Sequence, residues 1–360
     1  MELIYLPMAD VYLSFPLLLA IGLVGGMVST MLGIGGGIII TPSLMSIGIP
    51  SVVAISTQLS NAVGTNFSGF LTYQNERDVD ISLAWYLFMG GIAGALVENL
   101  ALLKAVNRAS GCAVLKIVVF FVLVVCSIVT LVQSQLQKKK SVEKGAIMRR
   151  WMIYFPWHKI FLRSRVEMSI LVPIGVGFFT GMVTTSLGGG NSLLIAPILT
   201  YLLARSSPVV SGTSLLAGFG INIVVTFASS MEHSLIDFVL LPILAISSVI
   251  GSVIGGRLAY RFKSKILGVI GAFVLMAIAY KMYLELKAVN WQTVSNGHSY
   301  VDKFPNVIKK IMAMPDEHWM LPIAQFAYDS PVEYTIIILV SVTIFATVVQ
   351  FLINRIEWYK

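Results

Sequence analysis

Charge is scarce in this sequence: 12% of its 360 residues are Asp, Glu, Lys or Arg, while 57% are hydrophobic. Soluble domains carry about a quarter charged residues, so this composition excludes an ordinary water-facing globular surface. Histidine is nearly as rare. His158, His233, His298 and His318 all fall in predicted loops between apolar segments, which leaves no support for a buried metal site or a catalytic dyad. There is no His-Glu-x-x-His run, and no Gly-x-x-x-x-Gly-Lys-Ser/Thr run that would bring nucleotide drive. Neither an enzyme of the intramembrane hydrolase type nor any cofactor is therefore expected. The two cysteines, Cys112 and Cys126, lie on one apolar segment, too far apart along a helix to be bridged. Residues Met1 to Asp10 lack the basic stretch of a cleaved signal, so the first apolar segment reads as a retained helix.

What the chain has instead is a succession of long apolar segments. They run from Val11 to Leu32, Ser51 to Leu71, Ile81 to Leu103, Cys112 to Val132, Ser169 to Leu187, Pro208 to Ala228, Phe238 to Ala259, Ile266 to Tyr283 and Tyr334 to Ile353. Each is close to the roughly 20 residues that span a bilayer. Two shorter runs, Ile38 to Ile49 and Leu193 to Leu203, read as half-helices or re-entrant segments, which persist at membrane depth only where protein or a wet cavity satisfies their ends. The net charge of +8 could suggest nucleic acid as a partner, but it sits in loops between apolar segments. Lys138, Lys139, Lys140, Lys144, Arg149 and Arg150, continuing to Lys159, Arg163 and Arg165, form the densest cluster; Arg257, Arg261, Lys263 and Lys265 form a second. The positive-inside rule puts both in the cytoplasm, with the N-terminus outside and the C-terminus cytoplasmic; Lys104 and Arg108 then fall on the wrong side.

The sequence also repeats itself. Gly26 to Gly37, followed by Pro42 and Leu44, aligns without gaps to Gly181 to Ser192, followed by Pro197 and Leu199, with more than half of the positions from 26 to 44 identical 155 residues later. Further along, Thr57, Leu59, Gly64 and Asn66 face Thr213, Leu215, Gly220 and Asn222, then Asp80 faces Asp237 and Gly94 faces Gly251. Each half has a long helix, a glycine break, a short run with Pro, a helix with hydroxyl residues and two more long helices. An odd number of crossings between equivalent points inverts the second copy, and inverted repeats with broken helices are a transporter architecture with the solute near the midplane.

The expected fold is thus all-α, a polytopic transmembrane protein with two inverted-topology repeats and broken helices. Residues 11–134 form the first repeat and 168–286 the second. Between them, 135–166 reads as a basic cytoplasmic linker with Trp151, Tyr154, Phe155, Trp157 and Phe161 at the interface. Residues 287–331 read as an external loop and 333–354 as an extra C-terminal transmembrane helix.

Few residues are equipped for chemistry. Gly33 to Gly37 and Gly188 to Ser192 precede the short runs; glycine there lets successive N–H groups turn toward one point, and a half-helix starting there offers its positive end to an anion. Close helix packing by small residues is the competing reading. Ser56, Thr57, Gln58, Ser60 and Asn61, with Thr213, Ser214 and Asn222, can replace an anion's water shell without a full opposite charge; hydrogen bonds within their own helix are the alternative for any one of them. Glu98 lies mid-segment opposite Gly255 and is a possible proton-coupling residue, or else a paired or interfacial carboxylate. Asp80 and Asp237 sit where helices start and read as N-caps.

The paired glycine runs before Pro42 and Pro197, with the Ser-Thr-Gln-Leu and Gly-Thr-Ser-Leu tetrapeptides that start at Ser56 and Gly212, resemble the TauE/SafE family of membrane permeases, also described as sulfite or organosulfonate exporters. The resemblance covers about residues 12–134 and 168–286. It implies an inner-membrane carrier for a small anionic substrate such as sulfite, sulfoacetate or a related sulfonate, surrounded by membrane lipid. The site residues it points to are Gly35, Gly36, Gly37, Thr57, Gln58 and Asn61 in the first half and Gly189, Gly190, Asn191, Thr213 and Ser214 in the second. Two features depart from the compact family pattern: the long basic linker and the loop after residue 286. An importer of sulfate or thiosulfate through the same scaffold, and a membrane assembly protein that transports nothing, are the other readings.

Overall fold

A computed structural model describes residues 3–33, 35–75, 79–106, 157–161, 166–184, 188–189, 195–196, 198–199, 208–232 and 236–261, with scattered positions in 120–131, 269–284 and 333–348. It is mostly helical, as expected. The elements are strand β1 (Leu3–Leu6), strand β2 (Val11–Ser14), helices α1 (Phe15–Leu32), α2 (Gly37–Ser46), α3 (Ser51–Asn75) and α4 (Ile81–Val106), strands β3 (His158–Phe161) and β4 (Val166–Ser169), and helices α5 (Leu171–Thr184), α6 (Pro208–Glu232) and α7 (Leu240–Arg261). Among the described residues, four helices are long and apolar enough to cross a membrane: α1, α4 from Ile81 to Glu98, α6 from Pro208 to Ser230, and α7.

The surface is apolar and the interior holds the polar groups, the reverse of a water-soluble domain. Leu17, Leu23 and Val24 on α1, Trp85, Met89 and Val97 on α4, and Ile246 and Ile254 on α7 are exposed. Ser29, Thr30, Thr57, Gln58, Asn61, Asn66, Thr213, Asn222, Ser248 and Ser252 are buried. Hydrocarbon outside offers nothing to a hydroxyl or amide, so polar side chains in spans face one another.

Helices pair across the halves. α1 packs chiefly on α7, and α4 on α5, while α3 meets α6. Small residues bring these backbones together, since apolar side chains gain little by leaving equally apolar lipid. A β-carbon on Gly26 of α1 would run into the Ser248 carbonyl of α7, and one on Gly181 of α5 into the Gly91 carbonyl of α4. Gly26 and Gly181 are the equivalent positions of the sequence repeat.

Two β-hairpins were not expected. β1 pairs antiparallel with β2, Leu3 opposite Ser14 and Leu6 opposite Val11; β3 pairs with β4, His158 opposite Ser169 and Phe161 opposite Val166. Each leads directly into the first helix of its half, and the second repeats the first 155 residues later. The helix expected from Val11 therefore starts at Phe15, with Pro16 in its first turn where the missing N–H costs nothing. His158 and Phe161, read as loop and linker, are strand residues, and the sides facing the protein carry Leu6 and Phe161, both fully buried.

Candidate functional site

The first helix of the first half stops on a glycine in the left-handed conformation, and the equivalent glycine of the second half shares that conformation. Gly33 caps α1 at φ 67° and donates its N–H to the Thr30 carbonyl at 3.1 Å; Gly188, its counterpart, has φ 65°, and Gly35 and Gly189 follow at φ 75° and 91°. A side chain pays a steric penalty in this region, which is why the runs are glycine. α2 then begins at Gly37 without a side-chain cap, leaving the N–H groups of its first turn pointing out of its end. Pro42 sits inside that short helix. Gly190 and Asn191 lie outside the described residues.

Each break is held against the other half. Ser214 Oγ on α6 lies 2.8 Å from the Gly33 carbonyl oxygen and 2.9 Å from that of Ser211. Gln58, the α3 counterpart of Ser214, flanks Gly188, whose β-carbon position is 3.2 Å from Gln58 Cβ. The same reciprocity governs Thr57 and Thr213. The Asp237 N–H donates to Thr57 Oγ1 and the Asp80 N–H to Thr213 Oγ1, both at 3.0 Å. The two threonines thus meet the starts of α7 and α4, each in the opposite half, and do not face the glycine breaks through these hydroxyls.

The carboxylates act as the N-caps expected. Leu83 N–H donates to Asp80 Oδ1 at 3.1 Å, and Val239 and Leu240 N–H donate to Asp237 Oδ1 at 3.0 Å. Asp237 Oδ2 also accepts the Met8 N–H from the tip of the first hairpin at 3.0 Å. Burial pushes its carboxyl above the usual carboxylate range, and the backbone N–H groups oppose that shift. In the second hairpin, Phe161 packs edge-on against Tyr86 of α4, and Lys159 Nζ lies over the Tyr86 ring, 5.1 Å from its centre. Each hairpin therefore seats on the helix that follows the opposite half's capping aspartate.

A polar layer runs through the centre. Asn61 Nδ2 donates to Gln58 Oε1 at 2.9 Å, and Ser248 Oγ lies 2.8 Å from Asn61 Oδ1. Thr30 Oγ1 donates to Ser252 Oγ at 2.7 Å, which donates to the Thr65 carbonyl at 2.9 Å. These bonds tie α1, α3 and α7, so Asn61 is committed to holding helices together. Gln58 Nε2, both amide atoms of Asn66, both of Asn222 and Thr226 Oγ1 are buried without a hydrogen-bond partner among the described residues. Leaving one such group unpaired costs about 1–3 kcal/mol, so each of them calls for an explanation.

These amides adjoin the breaks. A β-carbon on Gly36 would sit 3.1 Å from Gln58 Nε2, and one on Gly189 3.1 Å from Asn222 Nδ2. Of the expected residues, Gly35, Gly36, Gly37, Gln58 and Gly189 come together; Thr57, Thr213, Ser214 and Asn61 support them from outside. Glu98, on α4, is only partly buried, unlike the polar group at the breaks. Among the described residues the only buried charged side chains are the capping pair Asp80 and Asp237, so the centre offers neutral donors and acceptors. Sequence reasoning placed Asn222 among the side chains able to replace an anion's water shell and aligned Asn66 with it without giving Asn66 a role; two asparagines at equivalent places in apolar helices were the available signal.

The family model for the sulfite exporter TauE/SafE matches residues 18–282. Among curated proteins, the chain is 26% identical over 269 residues to the probable membrane transporter protein YjnA of Bacillus subtilis (strain 168), spanning 74% of this chain and 98% of that protein. It is 24% identical over 292 residues to the probable membrane transporter protein YunE of the same organism, spanning 76% and 98%. No solved structure matches. With matching glycine breaks, crossing helices and a buried polar centre inside the matched region, this multi-pass membrane protein belongs to the TauE/SafE sulfite exporter family of membrane transporters.

Proposed function

We propose that the chain is a secondary carrier that exports a small sulfur-containing anion, sulfite, sulfoacetate or a related organosulfonate, across the inner membrane, with its N-terminus outside and its C-terminus in the cytoplasm. The observation that carries this reading is the meeting of two left-handed glycine breaks, one from each half, with buried amides that are unpaired among the described residues. Amide N–H groups and the open end of α2 suit an anion, and neutral donors hold it without the full opposite charge that would slow release.

The reciprocal contacts support two inverted halves related by a pseudo-two-fold axis in the membrane plane. Thr57 to Asp237 and Thr213 to Asp80, α1 on α7 and α5 on α4, exchange under one operation. In carriers of this kind the halves rock about the site. Direction follows from the membrane potential, worth about 2.3 kcal/mol per elementary charge per 100 mV. With the cytoplasm negative an anion is pushed outward without a coupling ion, and the buried carboxylates here are occupied in capping helices.

Purified protein in lipid vesicles should exchange labelled sulfite for unlabelled sulfite, sulfoacetate or a small sulfonate. Exchange with none of these anions, under conditions where the protein is folded and inserted, would return it to the reading of a membrane assembly protein.

A further inference from the structure

Asn66 on α3 and Asn222 on α6 are equivalent in the two halves, fully buried, and unpaired at both the amide nitrogen and the amide oxygen among the described residues. Asn222 Nδ2 faces Gly189 directly. Asn66 stands one helical turn from Ala62, whose Cβ closes on the same glycine, and nearly one turn from Gly69, which presses on Thr30 and Leu215. Gln58 Nε2 faces Gly36 across the same centre, and Thr226 Oγ1 lies one turn beyond Asn222.

The inventory of unmet valences is mixed. Nitrogens of Gln58, Asn66 and Asn222 seek acceptors, but Asn66 Oδ1 and Asn222 Oδ1 seek donors. A dianion such as sulfate, fully deprotonated, brings acceptors alone. It would satisfy the nitrogens and press its own lone pairs against two carbonyl oxygens. An anion that also carries an O–H or N–H satisfies both kinds. A site arranged to bond a substrate hydroxyl discriminates strongly against an analogue lacking it, because its own buried polar group is then left unpaired.

Building on the carrier reading, we infer that Asn66, Asn222 and Gln58 hold the transported solute, and that the two asparagine oxygens select an anion bearing a proton donor over one that offers acceptors only. Hydrogen sulfite and hydroxyl-bearing sulfonates fit this requirement; sulfate, ionised sulfoacetate and simple alkanesulfonates do not, which narrows the carrier reading to sulfur anions with a donor.

A matched pair tests it: 2-hydroxyethanesulfonate and ethanesulfonate carry equal charge and differ by one hydroxyl. Competition against labelled sulfite in vesicles, with thermal shift of the detergent-purified protein as a binding readout independent of flux, should favour the hydroxyl compound about tenfold, the ratio expected from one buried acceptor left unpaired. Asn66→Ala and Asn222→Ala should each reduce that preference, and the double variant should bring it near unity. Because each removes an unpaired buried amide, the ligand-free variants should melt no lower than wild type. Equal competition by the two sulfonates, or a preference the variants keep, overturns this inference while leaving the carrier reading intact. Lower melting of both alanine variants without ligand makes the asparagines structural and overturns it too. Sodium-dependent binding lost in the variants would assign the oxygens to a cation instead. Absence of any flux or thermal shift in wild type would remove the carrier reading and this inference together.

Discussion

Replacing Thr57 by Val keeps the shape of a β-branched side chain and removes one hydroxyl. In the structure that hydroxyl accepts the Asp237 N–H at 3.0 Å, and both residues are fully buried. Without it a buried backbone N–H at the start of α7 loses its acceptor, at a cost of about 1–3 kcal/mol. Thr213→Val should cost as much through the Asp80 N–H. The two pairs share no hydrogen bond, so the double variant should lose about 2–6 kcal/mol, a large part of the roughly 5–15 kcal/mol that holds a domain folded. Thr57→Ser keeps the acceptor and should lose only the buried methyl, about 0.8 kcal/mol. Apparent melting temperatures in detergent, followed by tryptophan fluorescence, should therefore fall for Val, little for Ser and additively for the double variant, at no more than about 4 °C per kcal/mol. Solute KM should stay near wild type in Thr57→Ser. Unchanged melting in Thr57→Val with a raised KM would refute the capping role and return Thr57 to direct solute contact.

Three further outcomes follow from the same geometry. Gly36→Leu, which places a side chain against Gln58 Nε2, should abolish exchange while the protein remains inserted and monodisperse; full exchange would favour a packing role alone. Burial raises the Asp237 carboxyl above its unfolded value, so the native state holds that proton more tightly than the unfolded chain. The associated stability is present at low pH and lost as pH rises through the native value. Lowering pH from neutral toward about 4, the ordinary carboxylate value, should raise the melting temperature of wild type relative to Asp237→Asn, and identical pH profiles would contradict it. Glu98→Gln should change efflux little, since Glu98 is only partly buried and the unpaired side chains that adjoin the breaks are neutral; loss of transport in that variant would make it a coupling residue.

What could be read from the sequence depended on how local the cause was. The helix stop at Gly33 and the left-handed turn at Gly188 were legible because a left-handed residue needs glycine wherever it occurs. Asp80 and Asp237 were legible as caps because an N-cap bonds residues two or three positions on. The hairpins were not, because strands of four residues such as Val11–Ser14 carry too little pattern to separate them from an adjoining apolar helix. Thr57 and Thr213 were singled out correctly as an equivalent pair, but their partners lie 180 and 133 residues away. Nothing in either helix reveals that the hydroxyl serves the other half. Asn222 was named with the hydroxyl residues of its helix, while Asn66 was visible only as its aligned partner and was overshadowed by the denser group from Ser56 to Asn61. That group proved largely occupied with its own helix and its neighbours, as Ser60 Oγ bonding the Ser56 carbonyl at 3.4 Å and Asn61 bonding Gln58 at 2.9 Å illustrate.

The account rests on one claim, that an anion crosses the membrane through the neutral centre where the two breaks meet. Its most direct measurement is sulfite efflux from loaded vesicles containing the purified protein, with and without an imposed potential. Efflux should rise as the interior is made negative, because a net charge then moves down the field, and Asn66→Ala combined with Asn222→Ala should slow it severalfold without abolishing it. Efflux indifferent to both potential and the paired substitution, or uptake that requires an inward Na⁺ or H⁺ gradient, would contradict it.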